Sequence, residues 1–203
     1  MIVDYIFDFV SPNSYLVHKL LPGISERTGA EFNYIPCLLG GIFKQTGNQA
    51  PWQAFSHVPS KVGYEELELK RFLVKHRISD FNMNTFFPIN SIALMRGACA
   101  MQLKDAEAFD QYLEVMFAAM WEDSKNMGDP LEVGKVLAAA GYDPQLFMRL
   151  IQQDEIKDLL KANTAKAVTR GAFGVPTFFV GDEIFFGKER LQQVEEEIVR
   201  QQT

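Results

Sequence analysis

The stretch that decides the fold is Ile2-Val3-Asp4-Tyr5-Ile6-Phe7-Asp8-Phe9-Val10-Ser11-Pro12-Asn13-Ser14-Tyr15. Over residues 2–10 Val3, Tyr5, Phe7 and Phe9 alternate with Asp4 and Asp8, a period of two with aromatic residues that predicts a strand. Ser11 then offers a hydroxyl at a helix N-cap, and Pro12 suits the first helical position, where its missing N–H costs nothing. Tyr15, Leu16, His18, Leu20 and Leu21 follow at helical spacing. Gly29 predicts the end of that helix and Glu31–Pro36 a second strand. Residues 1–36 are therefore expected as β-α-β, a parallel pair joined by a crossover, with a sharp turn at Ser11.

Working outward, Leu39–Asn48 is punctuated by glycine and leads into an expected loop containing Pro51 and Pro59. From Tyr64 to about Arg170 the pattern is helical, with starts expected at Asn90-Ser91, Asp105, Asp129-Pro130 and Asp143-Pro144. Phe109, Tyr112, Leu113, Met116, Phe117 and Met120 form one apolar stripe, which reads as helix-bundle core. The chain then returns to strand chemistry. Gly174-Val175-Pro176-Thr177 leads into Phe178-Phe179-Val180, Gly181-Asp182 makes a tight turn, and Ile184-Phe185-Phe186 pairs back as a hairpin. Gly187-Lys188-Glu189 opens a final helix with Leu191, Val194 and Ile198 on its buried side. The outline is βαβ, a long helical insertion, then ββα, an α/β protein without internal repeats.

Composition bounds what such a chain does. With 203 residues, 47% hydrophobic and 23% charged, it can bury a core without staples. A net charge of −6 argues against a nucleic-acid partner. No apolar run approaches the ~18 residues that span a bilayer, so no membrane role is expected. The opening stretch lacks a basic segment and reads as a strand, not a signal peptide. Two distant cysteines, Cys37 and Cys99, make neither a disulfide framework nor a zinc site and are expected as buried thiols in a cytoplasmic protein. His18, His57 and His76 lack metal-ligand spacing and read as surface or helix residues; no metal is expected.

A βαβ unit completed by ββα resembles the thioredoxin plan, with its reactive centre at the first strand-to-helix turn, facing a cis-proline loop. The motif Phe7-Asp8-Phe9-x-Ser11-Pro12-x-Ser14-Tyr15 resembles the entry motif of the kappa-class glutathione transferases and the 2-hydroxychromene-2-carboxylate isomerases. Both are DsbA-like thioredoxin folds with a helical domain inserted. Leu39-Gly40-Gly41-Ile42-Phe43-Lys44, Thr46-Gly47-Asn48, Phe87-Pro88, Gly174-Val175-Pro176-Thr177 and Phe186-Gly187-Lys188-Glu189-Arg190 extend the resemblance along nearly the whole chain. It implies a discontinuous thioredoxin-like, glutathione-binding domain of residues 1–48 and 165–203, with residues 49–164 as the inserted helical domain.

The resemblance also implies the chemistry. A serine cannot exchange disulfides, but its hydroxyl at a helix start can donate to a bound thiolate, which the helix dipole and free N–H groups also favour. Ser11 is the expected catalytic residue, the nucleophile belonging to glutathione; the plain alternative is a capping serine. Pro12 and Asn13 share its turn, and Val175, before an expected cis Pro176, would pair with the cysteine part of glutathione. Lys188 and Glu189 stand where the family holds the γ-glutamyl end, many members carrying Ser-Asp or Asn-Asp there. Asn48 resembles a residue that contacts the tripeptide, and Lys61 would pair with one of its carboxylates. Trp52, Phe55, Phe86 and Phe87 read either as packing or as an apolar cleft. The expected activity is a glutathione-dependent isomerase on a small aromatic or conjugated substrate, acting by reversible thiolate addition, bond rotation and thiolate expulsion. A kappa-class transferase or peroxidase and a non-catalytic glutathione- or peptide-binding module are the alternatives. A homodimer is expected by the same resemblance.

Overall fold

The aromatic residues of the opening segment need cover on both sides, and they find it in the middle of a sheet. In the computed structural model, which describes residues 1–203, strand β1 (Ile2–Phe7) lies between β2 (Glu31–Pro36) and β3 (Thr177–Val180), with β4 (Glu183–Phe186) outermost. β1 runs parallel to β2, Phe7 opposite Pro36, and antiparallel to β3, Ile6 opposite Thr177. β3 and β4 form the expected hairpin, and Gly181 turns it at φ 59°, a conformation that strains L side chains.

Three local expectations are corrected. β1 stops at Phe7, short of Val10, because the Asp8 carbonyl accepts the Ser11 N–H at 3.0 Å and closes a turn. The single helix expected before β2 is two, α1 (Pro12–His18) and α2 (Leu21–Thr28). Pro22 explains the break: it has no N–H for the His18 carbonyl and disfavours a helical residue before it. The loop expected around Pro51 and Pro59 is largely helical. After α3 (Leu39–Thr46) come α4 (Pro51–Ala54) and α5 (Pro59–His76), each proline occupying the first helical position.

The rest of the insertion is α6 (Ile92–Lys104), α7 (Ala106–Trp121), α8 (Pro130–Ala139), α9 (Pro144–Leu150) and α10 (Asp154–Thr169). Asp105, Asp129 and Asp143 cap as expected, each carboxylate accepting a first-turn N–H. Ser91 stands before α6 but makes no capping bond; its hydroxyl donates to Asp8 instead. A 3-10 turn, Lys188–Arg190, leads into the closing α11 (Leu191–Gln202), which buries Leu191, Val194 and Ile198. The whole α7 stripe from Phe109 to Met120 is buried, and Phe117 meets Phe9 with ring centroids 4.7 Å apart. Sheet, α1, α6 and α7 thus share one continuous core. α10 spans the expected boundary at residues 164/165, and its Thr164 hydroxyl accepts the Leu38 N–H at 3.0 Å.

The closeness of α6 to α7 rests on Gly97. A Cβ there would come 2.2 Å from Tyr112 Oη and 2.5 Å from Phe147 Cε2, and Tyr112 is held in place by donating to the Leu94 carbonyl. Alanine ordinarily gains ~1 kcal/mol over glycine in a helix, whereas overpacking a core costs about 1–3 kcal/mol. Gly97→Ala is expected to lower the unfolding free energy by up to about 2 kcal/mol in urea titration, with an unchanged slope. A raised midpoint would show that the two helices are not packed this closely.

Candidate functional site

The turn from β1 into α1 is buried and internally satisfied. Asp8 is fully enclosed; its Oδ1 accepts the Val10 N–H at 3.1 Å, and its Oδ2 accepts the Leu39 N–H at 2.8 Å and the Ser91 hydroxyl at 3.0 Å. Phe9 donates its N–H to Met95 Sδ at 3.4 Å and accepts the Trp121 indole N–H at 2.8 Å. Ser11 follows at 5% exposure. Its hydroxyl oxygen caps α1 by accepting the Ser14 N–H at 3.2 Å, as the N-cap reading predicts, while its own proton meets no acceptor in the chain. The Asn13 N–H is likewise unpaired, and the Ser14 hydroxyl is buried without a partner. Unmet donors and one orphaned hydroxyl therefore collect within one turn of Ser11.

Two other segments join this turn. The antiparallel register that sets Ile6 against Thr177 carries Pro176 and Val175 alongside the end of β1, and the Val175-Pro176 bond is cis. Neither the N–H nor the carbonyl of Val175 has a hydrogen-bond partner in the chain, although its side chain packs with Ile6, Cys37 and Ile42. The 3-10 turn carrying Lys188 and Glu189 packs against α1. Lys188 is buried, ion-paired with the exposed Glu189, with its ammonium 5.3 Å over the Phe72 ring of α5. Asn48, just past α3, donates its amide to the Phe173 carbonyl at 2.8 Å and so ties α3 to the loop before Pro176.

Ser11, Pro12, Asn13, Val175, Pro176, Lys188 and Glu189 thus belong to adjoining segments, and Asn48 reaches them through Phe173. Lys61 stands apart. It lies in the first turn of α5 over Phe55, 4.0 Å from the ring centroid, and pairs with Glu65 at 3.9 Å. Of the four aromatic residues read as packing or as a cleft, Trp52 and Phe87 pack together with centroids 6.3 Å apart, and Trp52, Phe55 and Phe86 are exposed. His18 sits on α1 but is buried, its Nδ1 2.8 Å from the Tyr34 hydroxyl and its Nε2 2.9 Å from Glu114. Cys37 and Cys99 are free and buried; burial pushes the Cys37 thiol far up and the Cys99 thiol up to about 12, so neither is a thiolate at neutral pH. Asp8 and Ser14 stand in the entry motif and Ser91 at an expected helix start, but the sequence assigns none of them a place in the site; their burial and the Asp8–Ser91 bond come from the structure. The hints of Asp8 are its place in the entry motif and an acid at the point where strand gives way to helix.

A family model described as the DSBA-like thioredoxin domain matches residues 2–199. The chain is 30% identical to a 2-hydroxychromene-2-carboxylate isomerase of Pseudomonas putida, over 96% of this chain and 93% of that protein. It is 24% identical to glutathione S-transferase kappa 1 of Homo sapiens, over 94% of this chain and 87% of that one. Among solved structures, a 2-hydroxychromene-2-carboxylate isomerase superposes with a TM-score of 0.83 at 28% identity, over 99% of this chain and 96% of the other.

The enclosed carboxylate gives the site a pH signature. Desolvation pushes Asp8 up from 3.8 to about 6, against the pull of its three hydrogen bonds. A carboxyl whose folded value lies above its unfolded one gives stability that is fully present below the unfolded value and is lost as pH rises through the folded one. Between pH ~4 and ~6 the wild type should therefore lose roughly 3 kcal/mol relative to Asp8→Asn. Urea unfolding of both proteins across that window measures the difference. Parallel pH profiles would mean that Asp8 is not buried as a charge.

Proposed function

We propose that this chain, which belongs to the family of DSBA-like thioredoxin domains, is a glutathione-dependent isomerase of the 2-hydroxychromene-2-carboxylate type. The observation that carries the reading is the Ser11 hydroxyl, whose oxygen is used in capping and whose proton is free to meet an anion. The enzyme class is that of its relatives, which are isomerases or glutathione transferases by name. The residues present fit the tripeptide. The Ser11 hydroxyl and the Asn13 N–H would be the donors to its sulfur, and Val175 has both backbone groups to offer an extended residue. Lys188 and Glu189 would supply one charge of each sign for its γ-glutamyl end, and Asn48 steadies the loop before Val175. Lys61, expected to take a carboxylate, lies over Phe55 and beside Glu65, apart from these residues, and has no part in this reading.

When bound, glutathione supplies a thiolate that adds reversibly to a conjugated carbon, with no net oxidation. The chain's own part is electrostatic: Ser11 donates to the sulfur and holds it as the anion, and the Val175 loop fixes its direction. Each unit by which the thiol is lowered corresponds to ~1.36 kcal/mol of preference for the thiolate. No dithiol is needed, consistent with Cys37 and Cys99 being buried in their own packing. In this reading the protein acts as a cytoplasmic homodimer on a small aromatic or conjugated substrate. No helix is long and apolar enough to cross a membrane.

The kappa-named relatives favour a second reading, a transferase in which the same sulfur site serves and the conjugate leaves as product. Turnover of 2-hydroxychromene-2-carboxylate against conjugation of a halo-aromatic separates the two.

Ultraviolet titration of the thiolate of bound glutathione tests what both share. Wild type is expected to lower the thiol by about one unit or more, and Ser11→Ala to return it toward the free value. The variant should lose only ~1 kcal/mol of stability from the cap and much more in kcat than in glutathione affinity. An unshifted thiol in wild type would remove the enzyme reading altogether.

A further inference from the structure

We infer that Asp8 is a positioning residue for the glutathione site: its enclosed carboxylate gathers the Ser11 turn, the start of α3 and the start of α6 into one frame, and holds it most tightly when ionised. The inference rests on the function proposed above. One residue supplies every tie. The Asp8 main-chain carbonyl accepts the Ser11 N–H at 3.0 Å, and Oδ1 accepts the Val10 N–H at 3.1 Å within the same turn. Oδ2 accepts the Leu39 N–H at the head of α3 and the Ser91 hydroxyl at the head of α6. α3 in turn leads to Asn48, whose amide holds the Phe173 carbonyl ahead of Val175-Pro176. The Ser11 turn and, through α3 and Asn48, the loop before Val175 therefore both trace back to this carboxylate.

The donor set specifies its charge. Three donors converge on two oxygens, and nothing in the set offers Asp8 an acceptor except Ser91, whose hydroxyl can turn round. The Val10 and Leu39 N–H groups cannot turn; a proton on Oδ2 directed at Ser91 leaves that oxygen a weaker acceptor and loosens its tie to Leu39. Burial brings that protonation into reach, at about 6. No ionised partner opposes it from the packed elements. Asp4 on β1 is paired with Arg170, the Cys37 thiol after β2 is neutral, Lys44 lies in the last turn of α3, and Arg96 and Lys104 lie further along α6. On α10, Lys157 and Lys161 are paired with Asp154 and Asp158.

The test reads the frame and the site separately. In ligand-free protein, the Val10 and Leu39 amide resonances should titrate together near pH 6, lose the transition in Asp8→Asn, and shift it to higher pH in Ser91→Ala. The last follows because the Ser91 hydrogen bond lowers the carboxyl. Calorimetry with S-methylglutathione, which has no thiol to titrate, should show wild-type affinity falling about fivefold below the transition. That fall should vanish in Asp8→Asn and move upward in pH in Ser91→Ala. Should Asp8→Asn not fold, the shift in Ser91→Ala decides alone. Titrating amides with a flat affinity profile would overturn the inference and leave the glutathione reading standing. No binding of S-methylglutathione by wild type at any pH would instead strike the glutathione reading, and the inference with it.

Discussion

A polar turn buried inside an aromatic core is the constraint around which this molecule is built. A buried N–H or C=O without a partner costs ~1–3 kcal/mol, and Phe9 is wholly enclosed, so both of its backbone groups must be met. They are met from the insertion: Met95 comes from α6 and Trp121 from the end of α7. Ser91, which completes the Asp8 carboxylate, also precedes α6. The helical insertion therefore does more than cover one face of the sheet. It supplies the hydrogen bonds without which the segment presenting Ser11 could not stay folded in an apolar setting.

What is legible in the sequence is what near neighbours decide. β2, the closing hairpin and the caps at Asp105, Asp129 and Asp143 each follow from a few adjacent residues, and so does Ser11 as an N-cap. The tie that Asp8 makes to α3 and α6 is not legible because two of its three side-chain partners lie 31 and 83 residues away. Strand alternation groups it with Asp4, yet Asp4 pairs with Arg170 at the sheet while Asp8 is swallowed by the turn. Pro51 and Pro59 carry one signal with two meanings, loop or helix start. Only the packing of Leu69, Phe72 and Leu73 against the core selects the second for α5. His18 is buried for a similar reason, since Tyr34, Glu114 and Phe117 arrive from other elements.

The candidate site divides along the same line. Ser11, Pro12 and Asn13 are contiguous, and the antiparallel register of β1 with β3 brings Val175 and Pro176 alongside the end of β1, next to them. Asn48 is tied in by a single bond across 125 residues, which no local pattern announces. Lys61 has neither contiguity nor register to place it, and its neighbours are Phe55 and Glu65 on its own stretch of chain.

Lys188 shows how a departure from a family pattern can still serve the proposed function. A lysine with 7% of its side chain exposed must keep a counter-charge, because an isolated buried ammonium is far costlier than a paired one. Glu189 provides it from a position 56% exposed, so the pair has one buried and one wet member. The Phe72 ring and the carboxylate of Glu68, itself held low chiefly by Arg71 and in part by Lys188, complete the surroundings. A zwitterionic ligand end brings one carboxylate and one ammonium. It can exchange partners with an existing ion pair without stranding either charge, which a lone Lys188 or a lone Glu189 would not allow. In a site of this kind the ion pair is the counterpart of the ligand's own, and the cost of desolvating Lys188 is met before any ligand arrives.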